Sequence, residues 1–325
     1  MLSFFVENFG CRATQADGAA LARQFRDRGL EQAAGFSQAQ IVVVNTCTVT
    51  EAADQDARAT IRRIHRANPD CRIVVTGCYA QRAPEELAAL PGVAQVIGNS
   101  HKHRLVDIVL PGADELEPER RREPTANFVP LSRLALGSNR RLSDPALPTT
   151  GELAPIFVSD IFAHTELVAP LLDAAQERTR PILKVQDGCD NRCSFCVIPY
   201  VRGGSRSLPL ARILEELNRL IAAGYREVVL SGINLGRWGR DLTRSEFGTI
   251  TPERSLCLED LVGSILTHTS LEKLRISSVE PMDWTDELIQ LVAESPRIAK
   301  HAHVPMQSAS DRILRRMHRK YRPWH

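Results

Sequence analysis

Cys189, Cys193 and Cys196 stand as C-x3-C-x2-C within "KVQDGCDNRCSFCVIPYVRGGSRS", residues 184–207. Three closely spaced thiols can hold a soft metal as thiolates, and two chemistries compete for them. Structural zinc takes a closed set of four Cys or His ligands. The next cysteine downstream, Cys257, is 61 residues away, and no histidine lies close in sequence. An iron–sulfur cluster fits the triplet better, because it leaves one iron open for a substrate or cofactor; on spacing alone zinc remains the competing reading. A looser set follows three apolar runs: Cys11 after "FFVENFG", Cys47 after "IVVVNT" and Cys78 after "RIVVTG". If those runs are strands of one parallel sheet, their carboxyl ends share the edge where open α/β folds bind ligands. The competing reading is that small cysteines fill α/β cores, and Cys71 and Cys257 are read that way.

The elements that must position these thiols alternate between β and α. Residues 1–110 pair "LSFFVENFG" with a helix over 14–28, "AQIVVVNT" with the helical "TEAADQDARATIRRIHRAN" at 50–68, "RIVVTG" with "PEELAAL", and end on "AQVIGN". Thr48 and Glu51 have capping-box spacing. Near-continuous Val/Ile strands imply an open parallel sheet covered on both faces. Residues 111–180 turn rich in Pro, Gly and charge and read as a linker, with a strand at 155–162 and a helix at 165–176 inside it. Residues 181–325 resume the alternation with four β/α units, whose strands are "ILKVQ", "EVVLSG", "KLRISS" and "HAHVPM". The expected fold class is therefore α/β: an N-terminal open parallel-sheet domain plus an incomplete TIM-like barrel, with Cys189 at the top of the first barrel strand. Four strands do not close such a barrel, so the sequence is expected to be a piece of a longer protein.

A net charge of +2 does not by itself argue for nucleic acid. Arg312, Arg315, Arg316, Arg319 and Lys320 gather on the last helical pattern, as a phosphate contact or simply a solvated face. No apolar run reaches the roughly 18 residues that span a bilayer, and "MLSFFVENFG" lacks the basic start of a signal peptide. Eight cysteines in such a chain suggest metal chemistry in a reducing, cytoplasmic setting without a membrane partner.

"KVQDGCDNRCSFCVIPY" resembles the cluster motif of radical S-adenosylmethionine (SAM) enzymes, in the form found in methylthiotransferases. "NTCTVT" at 45–50 and "VVTGCYAQ" at 74–81 are similar to the N-terminal domain of that family. "EVVLSGINLGRWG", "RISSVEPMDWTDEL" and "HAHVPMQSASDRILRRMHRKY" match in the expected order. The resemblance covers nearly the whole chain outside 111–155.

It implies two [4Fe–4S] clusters. Cys189, Cys193 and Cys196 would hold the first, whose open iron chelates the amino and carboxylate groups of SAM, so that one electron cleaves SAM to methionine and a 5′-deoxyadenosyl radical. Cys11, Cys47 and Cys78 would hold an auxiliary cluster whose open iron carries the sulfur to be transferred. "INLG", Ile233 to Gly236, resembles the branch that methylthiolates C2 of N6-threonylcarbamoyladenosine at position 37 of tRNA, beside the anticodon, and "NTCTVT" agrees. Isopentenyladenosine in tRNA or ribosomal protein S12 is the alternative substrate, and an iron–sulfur or zinc RNA-binding module the non-enzymatic one. An electron donor such as a flavodoxin or ferredoxin is also implied. For SAM the candidate contacts are Gly232, Asn234, Arg202, Ser277, Glu280 and Gln307, with Arg206 and Ser278 beside them; a tight βα turn competes for Gly232 and Asn234, and an RNA phosphate for Arg202 and Arg206. Ser205 and Leu208 depart from the family's usual "RGRERSR" loop. Relatives usually continue into a small RNA-binding β-barrel.

Overall fold

The computed structural model describes residues 2–110, 153–164, 179–242 and 256–325. In the first part β1 (Ser3–Asn8) leads into α1 (Arg12–Asp27), followed by the two-residue β2 (Glu31–Gln32). Then β3 (Ile41–Thr46) precedes α2 (Glu51–Ala67), and β4 (Arg72–Gly77) precedes α3 (Cys78–Arg82) and α4 (Pro84–Ala88). Next come β5 (Val93–Gly98), α5 (Leu105–Val109) and β6 (Ile156–Phe157). All six strands run parallel in the order β2-β1-β3-β4-β5-β6. The order reverses between β1 and β3, which makes the carboxyl ends of those strands a topological switch point.

The Val/Ile-rich strands form the middle of this sheet because both faces are covered. Every residue of β3 is buried, and every residue of β4 except Arg72. Val42, Val44, Ile73 and Val75 pack against Ile61, Ile64 and Leu87 on one face. Ile41, Val43 and Val74 pack against Leu21, Phe25 and Leu105 on the other. The cap of α2 differs from the sequence expectation. Thr50, not Thr48, accepts from the Ala53 N–H at 3.2 Å, and the buried Thr48 hydroxyl has no protein partner. The strand expected at 155–162 shrinks to β6 and extends this first sheet, and the helix expected at 165–176 lies outside the described residues.

The second part contains β7 (Ile182–Asp187), α6 (Ile198–Arg202), β8 (Arg206–Ser207), α7 (Leu210–Ala222) and β9 (Glu227–Gly232). It continues with α8 (Leu258–His268), β10 (Lys273–Ile276), α9 (Asp286–Glu294) and α10 (Asp311–Arg316). The sheet order is β10-β9-β7-β8, parallel except for the short β8. Leu183, Val185, Val228 and Leu230 face outward onto Ile213, Leu217, Leu261 and Ile265 of the covering helices. The fourth expected strand, 301–306, is not a regular strand. Within it the single bridge Ser278↔His303 joins the extension of β10, and Leu274↔Ile298 lies just before it. Its residues 301–304 are exposed, and Pro305 supplies no N–H, so neither packing nor a ladder holds it straight.

The inner face of this arc is occupied by α1. Ala16 packs on Ile182 of β7 and Val229 of β9, while Leu21 and Phe25 of the same helix pack on the first sheet. A helix buried on two sides needs small residues, and Ala13, Thr14, Ala16, Gly18 and Ala20 supply them. A Cβ on Gly18 would come within 1.8 Å of Asn8 Oδ1, so no larger residue fits there.

Candidate functional site

The N-terminal triplet sits at the switch point. Cys11 is the N-cap of α1, three residues past the end of β1, Cys47 directly follows β3, and Cys78 starts α3 after β4. Two glycines make the approach possible. Gly10 has φ +90°, and a Cβ on it would lie 2.8 Å from the Cys47 Sγ. Gly77 has φ +102°, and a Cβ there would lie 2.3 Å from the Thr46 carbonyl oxygen. Cys47 and Cys78 are buried, and Cys11 is reachable by solvent. The Thr14 hydroxyl lies 3.6 Å from Cys11 Sγ, and the Asn99 amide donates to Cys78 Sγ at 3.6 Å. Desolvation raises the Cys11 thiol pKa, but Arg202, Thr14 and the backbone N–H groups of Thr14 and Ala13 reverse this and leave it below its ordinary value. Burial pushes the Cys47 thiol up, and negative charge on Cys78 or Cys11 would push it further. Cys47 is therefore within electrostatic reach of both other thiols.

The second triplet lies in the loop after β7. Gly188 has φ +70°, and a Cβ on it would meet the Gly204 carbonyl oxygen at 1.8 Å. The Cys189 N–H donates to the Gly203 carbonyl and the Cys196 N–H to that of Cys193, both at 3.0 Å. From the other side the Ser194 N–H donates to the Met317 carbonyl at 3.1 Å, which ties the loop to the end of α10. Burial raises the thiols of Cys189 and Cys193, partly opposed by the Asn234 amide at the first and by Arg319 at the second. Among the described residues no three His, Cys, Asp or Glu side chains close around a single metal ion. A mononuclear zinc would need its sulfurs about 2.3 Å from one centre, whereas a cluster spreads its thiolates over several irons.

The sequence candidates for SAM contacts fare unequally. Asn234 and Glu280 reach the cysteine loop: the Asn234 amide donates to Cys189 Sγ at 3.6 Å, and Asn191 donates to Glu280 at 3.4 Å. Arg319 also donates to Glu280, at 2.6 Å. Gly232 lies close against Gln186, and a Cβ there would be 3.0 Å from Gln186 Oε1. The Ser277 hydroxyl is buried without a protein partner, and Ser278 pairs with His303 at 2.6 Å. Gln307 is exposed, in left-handed backbone at φ +55°. Arg202 departs from its expected role. Its guanidinium is buried against Asp187 and Asp17 and turns toward the N-terminal triplet, away from the open side of the loop. Arg206 is spent on the carbonyls of His164 and Arg202. Cys71 is buried core, as expected, but Cys257 is the half-buried N-cap of α8, where Asp260 reaches back to its N–H at 2.9 Å.

Several residues at the site carried no sequence signal. Buried Gln186 donates to the carbonyls of Asp187 and Gly188, while its oxygen accepts the Asn234 N–H at 2.7 Å. It thereby staples the cysteine loop to the turn after β9. Beside that turn lies a cavity of about 410 Å³ lined by Asp190, Asn191, Ser205, Asn234, Arg237, Arg240, Asp241 and Lys320. Its three cations, Arg237, Arg240 and Lys320, share the lining with the carboxylates of Asp190 and Asp241, and Arg237 and Arg240 also pair with buried Asp283 at 3.2 and 3.6 Å. Only the Arg237–Arg240 pair in "GRWGR" hinted at this, and local spacing does not say where it points.

Residues 3–98 match the uncharacterized protein family UPF0004, and residues 183–325 match the radical SAM superfamily. The chain is 33% identical over 324 residues to threonylcarbamoyladenosine tRNA methylthiotransferase MtaB of Bacillus subtilis, covering 99% of this chain and 61% of that protein. It is 34% identical over 315 residues to the protein of the same name in Aquifex aeolicus, covering 97% and 65%. It is 29% identical over 321 residues to tRNA-2-methylthio-N6-dimethylallyladenosine synthase of Novosphingobium aromaticivorans, covering 98% and 62%. The chain thus spans a little over three fifths of the length of these relatives. The solved radical SAM methyltransferase TsrM of Kitasatospora setae, with cobalamin and a [4Fe–4S] cluster bound, superposes with TM-score 0.56 at 18% identity, covering 96% of this chain and 62% of that one. At that identity the likeness concerns the fold alone. Two domain matches therefore stand in order along the chain, a UPF0004 domain on the first sheet and a radical SAM domain on the second, and each sheet presents one cysteine triplet.

Proposed function

We propose that this chain is the cluster-bearing portion of a radical SAM methylthiotransferase acting on C2 of N6-threonylcarbamoyladenosine at position 37 of tRNA. One observation carries the reading: two cysteine triplets follow strands of the two sheets, in a chain whose relatives at 33–34% identity are named for that reaction. The donor sets suit [4Fe–4S] clusters with one open iron each, since each triplet offers three thiols while Cys71 and Cys257 are engaged elsewhere. Cys189, Cys193 and Cys196 would hold the cluster that supplies one-electron cleavage of SAM when bound, and Cys11, Cys47 and Cys78 the auxiliary one. Asn234 orients the Cys189 end of the first site. Arg237, Arg240 and Lys320 line the adjoining cavity, where they would hold the SAM carboxylate. The reaction would run in the cytoplasm with a flavodoxin- or ferredoxin-type donor; no helix among the described residues is long and apolar enough to cross a membrane.

The test is nucleoside analysis of tRNA from a deletion strain complemented by the full-length gene. Loss and return of 2-methylthio-N6-threonylcarbamoyladenosine supports the reading. Loss of the isopentenyl derivative instead assigns the chain to the other branch. In vitro, Cys11→Ala/Cys47→Ala/Cys78→Ala should still release 5′-deoxyadenosine from SAM under strong reductant but form no methylthio nucleoside, and Cys189→Ala should do neither.

A further inference from the structure

Five ionisable side chains are enclosed between the two triplets. Asp17 comes from α1, Lys102 from the turn before α5, Lys184 and Asp187 from β7, and Arg202 from α6; all are between 2% and 10% exposed. Arg202 donates to both Asp187 oxygens at 2.9 and 3.1 Å and to Asp17 Oδ2 at 3.0 Å. Lys184 pairs with Asp17 and, at 2.8 Å, with Asp187. Lys102 reaches Asp17 at 3.3 Å and Asn45 Oδ1 at 3.2 Å. Three cations thus meet two carboxylates where water is excluded, and an unbalanced buried charge is costly unless something opposes it.

The N-terminal triplet lies beside this group. Arg202 Nη2 also donates to the Thr14 hydroxyl at 3.4 Å, and that hydroxyl lies 3.6 Å from Cys11 Sγ. The carbonyl of Val201, its chain neighbour, accepts from Asn99 at 2.7 Å, and the same amide reaches Cys78 Sγ at 3.6 Å. Negative charge on Cys11 or Cys78 would favour the guanidinium, and Arg202 in turn favours the Cys47 thiolate. Burial lowers the Lys102 pKa despite Asp17, whereas Arg202 keeps its charge. On its other side Arg202 grips Asp187, whose carboxylate accepts the Gly188 N–H at 2.8 Å, one residue before Cys189.

We propose that Arg202 is a positioning residue of the N-terminal triplet: it supplies the fixed positive charge that stabilises the thiolates and the group they hold, and through Asp187 it registers that triplet against the loop of Cys189. This rests on the reading that Cys11, Cys47 and Cys78 carry a cluster.

The test uses protein with Cys189→Ala, Cys193→Ala and Cys196→Ala, reconstituted anaerobically with iron and sulfide, so that any cluster is the N-terminal one. Its midpoint potential is then read by spectroscopically monitored titration. Arg202→Gln should shift the potential to more negative values, because an oxidised, less negative cluster no longer competes with a stabilised reduced one. Arg202→Lys should retain most of the parent value, since it keeps the charge and loses only the fork. Thr14→Val, nearly isosteric, removes the hydroxyl between guanidinium and Cys11 and should shift the potential the same way by less. That variant carries the test if the glutamine one does not fold. An equal loss of iron in the Gln and Lys variants, with the potential of the remaining cluster unmoved, would overturn the proposal, as would an unmoved potential in Thr14→Val when the glutamine variant is unfolded. Absence of iron in the parent with Arg202 intact would instead sink the auxiliary-cluster reading, and the proposal with it.

Discussion

Replacing Asp17 by Asn removes the anion that Lys184, Lys102 and Arg202 share while leaving the shape of the side chain intact. Burial pushes the Asp17 carboxyl up, but the three cations outweigh it and hold the group at about 2, against an ordinary 3.8. At about 1.4 kcal/mol per pKa unit, that corresponds to roughly 2.5 kcal/mol of stability from the ionised form. Removing one partner of a buried ion pair also strands the others, which raises the expected cost at pH 7 to about 3–5 kcal/mol. The folded-state pKa is depressed, so this stability is present above about pH 4 and is lost as the pH falls from there toward 2. The measurement is guanidinium unfolding of the apo protein under anaerobic conditions, for wild type and Asp17→Asn between pH 7 and pH 3. The gap should hold steady down to about pH 4 and narrow below it. A loss under about 1 kcal/mol, the scale of an exposed pair, or a gap that stays constant below pH 4, would refute the reasoning. Asp17→Leu combined with Lys184→Met should cost less than the sum of the two single changes, because well-packed apolar groups can replace a buried pair.

Iron content tests the two triplets separately: the reconstituted protein should hold about eight irons, and Cys193→Ala or Cys47→Ala roughly half of that. Cys71→Ala should leave iron unchanged, because its side chain belongs to the core of the first sheet, and iron loss there would break the assignment. Gly77→Ala forces a Cβ to within 2.3 Å of the Thr46 carbonyl oxygen at φ +102°. It should cost at least about 2 kcal/mol in thermal or denaturant unfolding and release N-terminal iron before barrel iron. Gln186→Leu removes the staple between the cysteine loop and Asn234 while keeping size; SAM affinity, read by equilibrium binding, should fall while N-terminal iron stays.

The sequence by itself determined the local order of this protein. Val/Ile runs such as 41–46 and 72–77 can only be satisfied with both faces covered, so they declare parallel strands, and a residue placed just after such a run must emerge at the carboxyl edge. For that reason Cys11, Cys47, Cys78 and the 189–196 loop could be placed from spacing alone, and the glycines before three of them could be seen, although not what those glycines approach. Where the signal was only spacing between short polar residues, it misled: Thr48 had capping-box geometry on paper, but the chain enters α2 at Thr50. The passage 301–306 looked like a strand and is not one, because strand structure needs a partner and a buried face that no local pattern guarantees. Only the tertiary structure decided that α1 lies between two sheets, and that β6 joins the first of them. Only it decided that Arg202 turns toward the N-terminal thiols. Asp17 meets Lys184 across 167 positions and Arg202 across 185. Coulomb attraction acts through space and takes no account of chain separation, so such pairings become fixed only once hydrophobic burial has brought the two sheets onto opposite sides of α1.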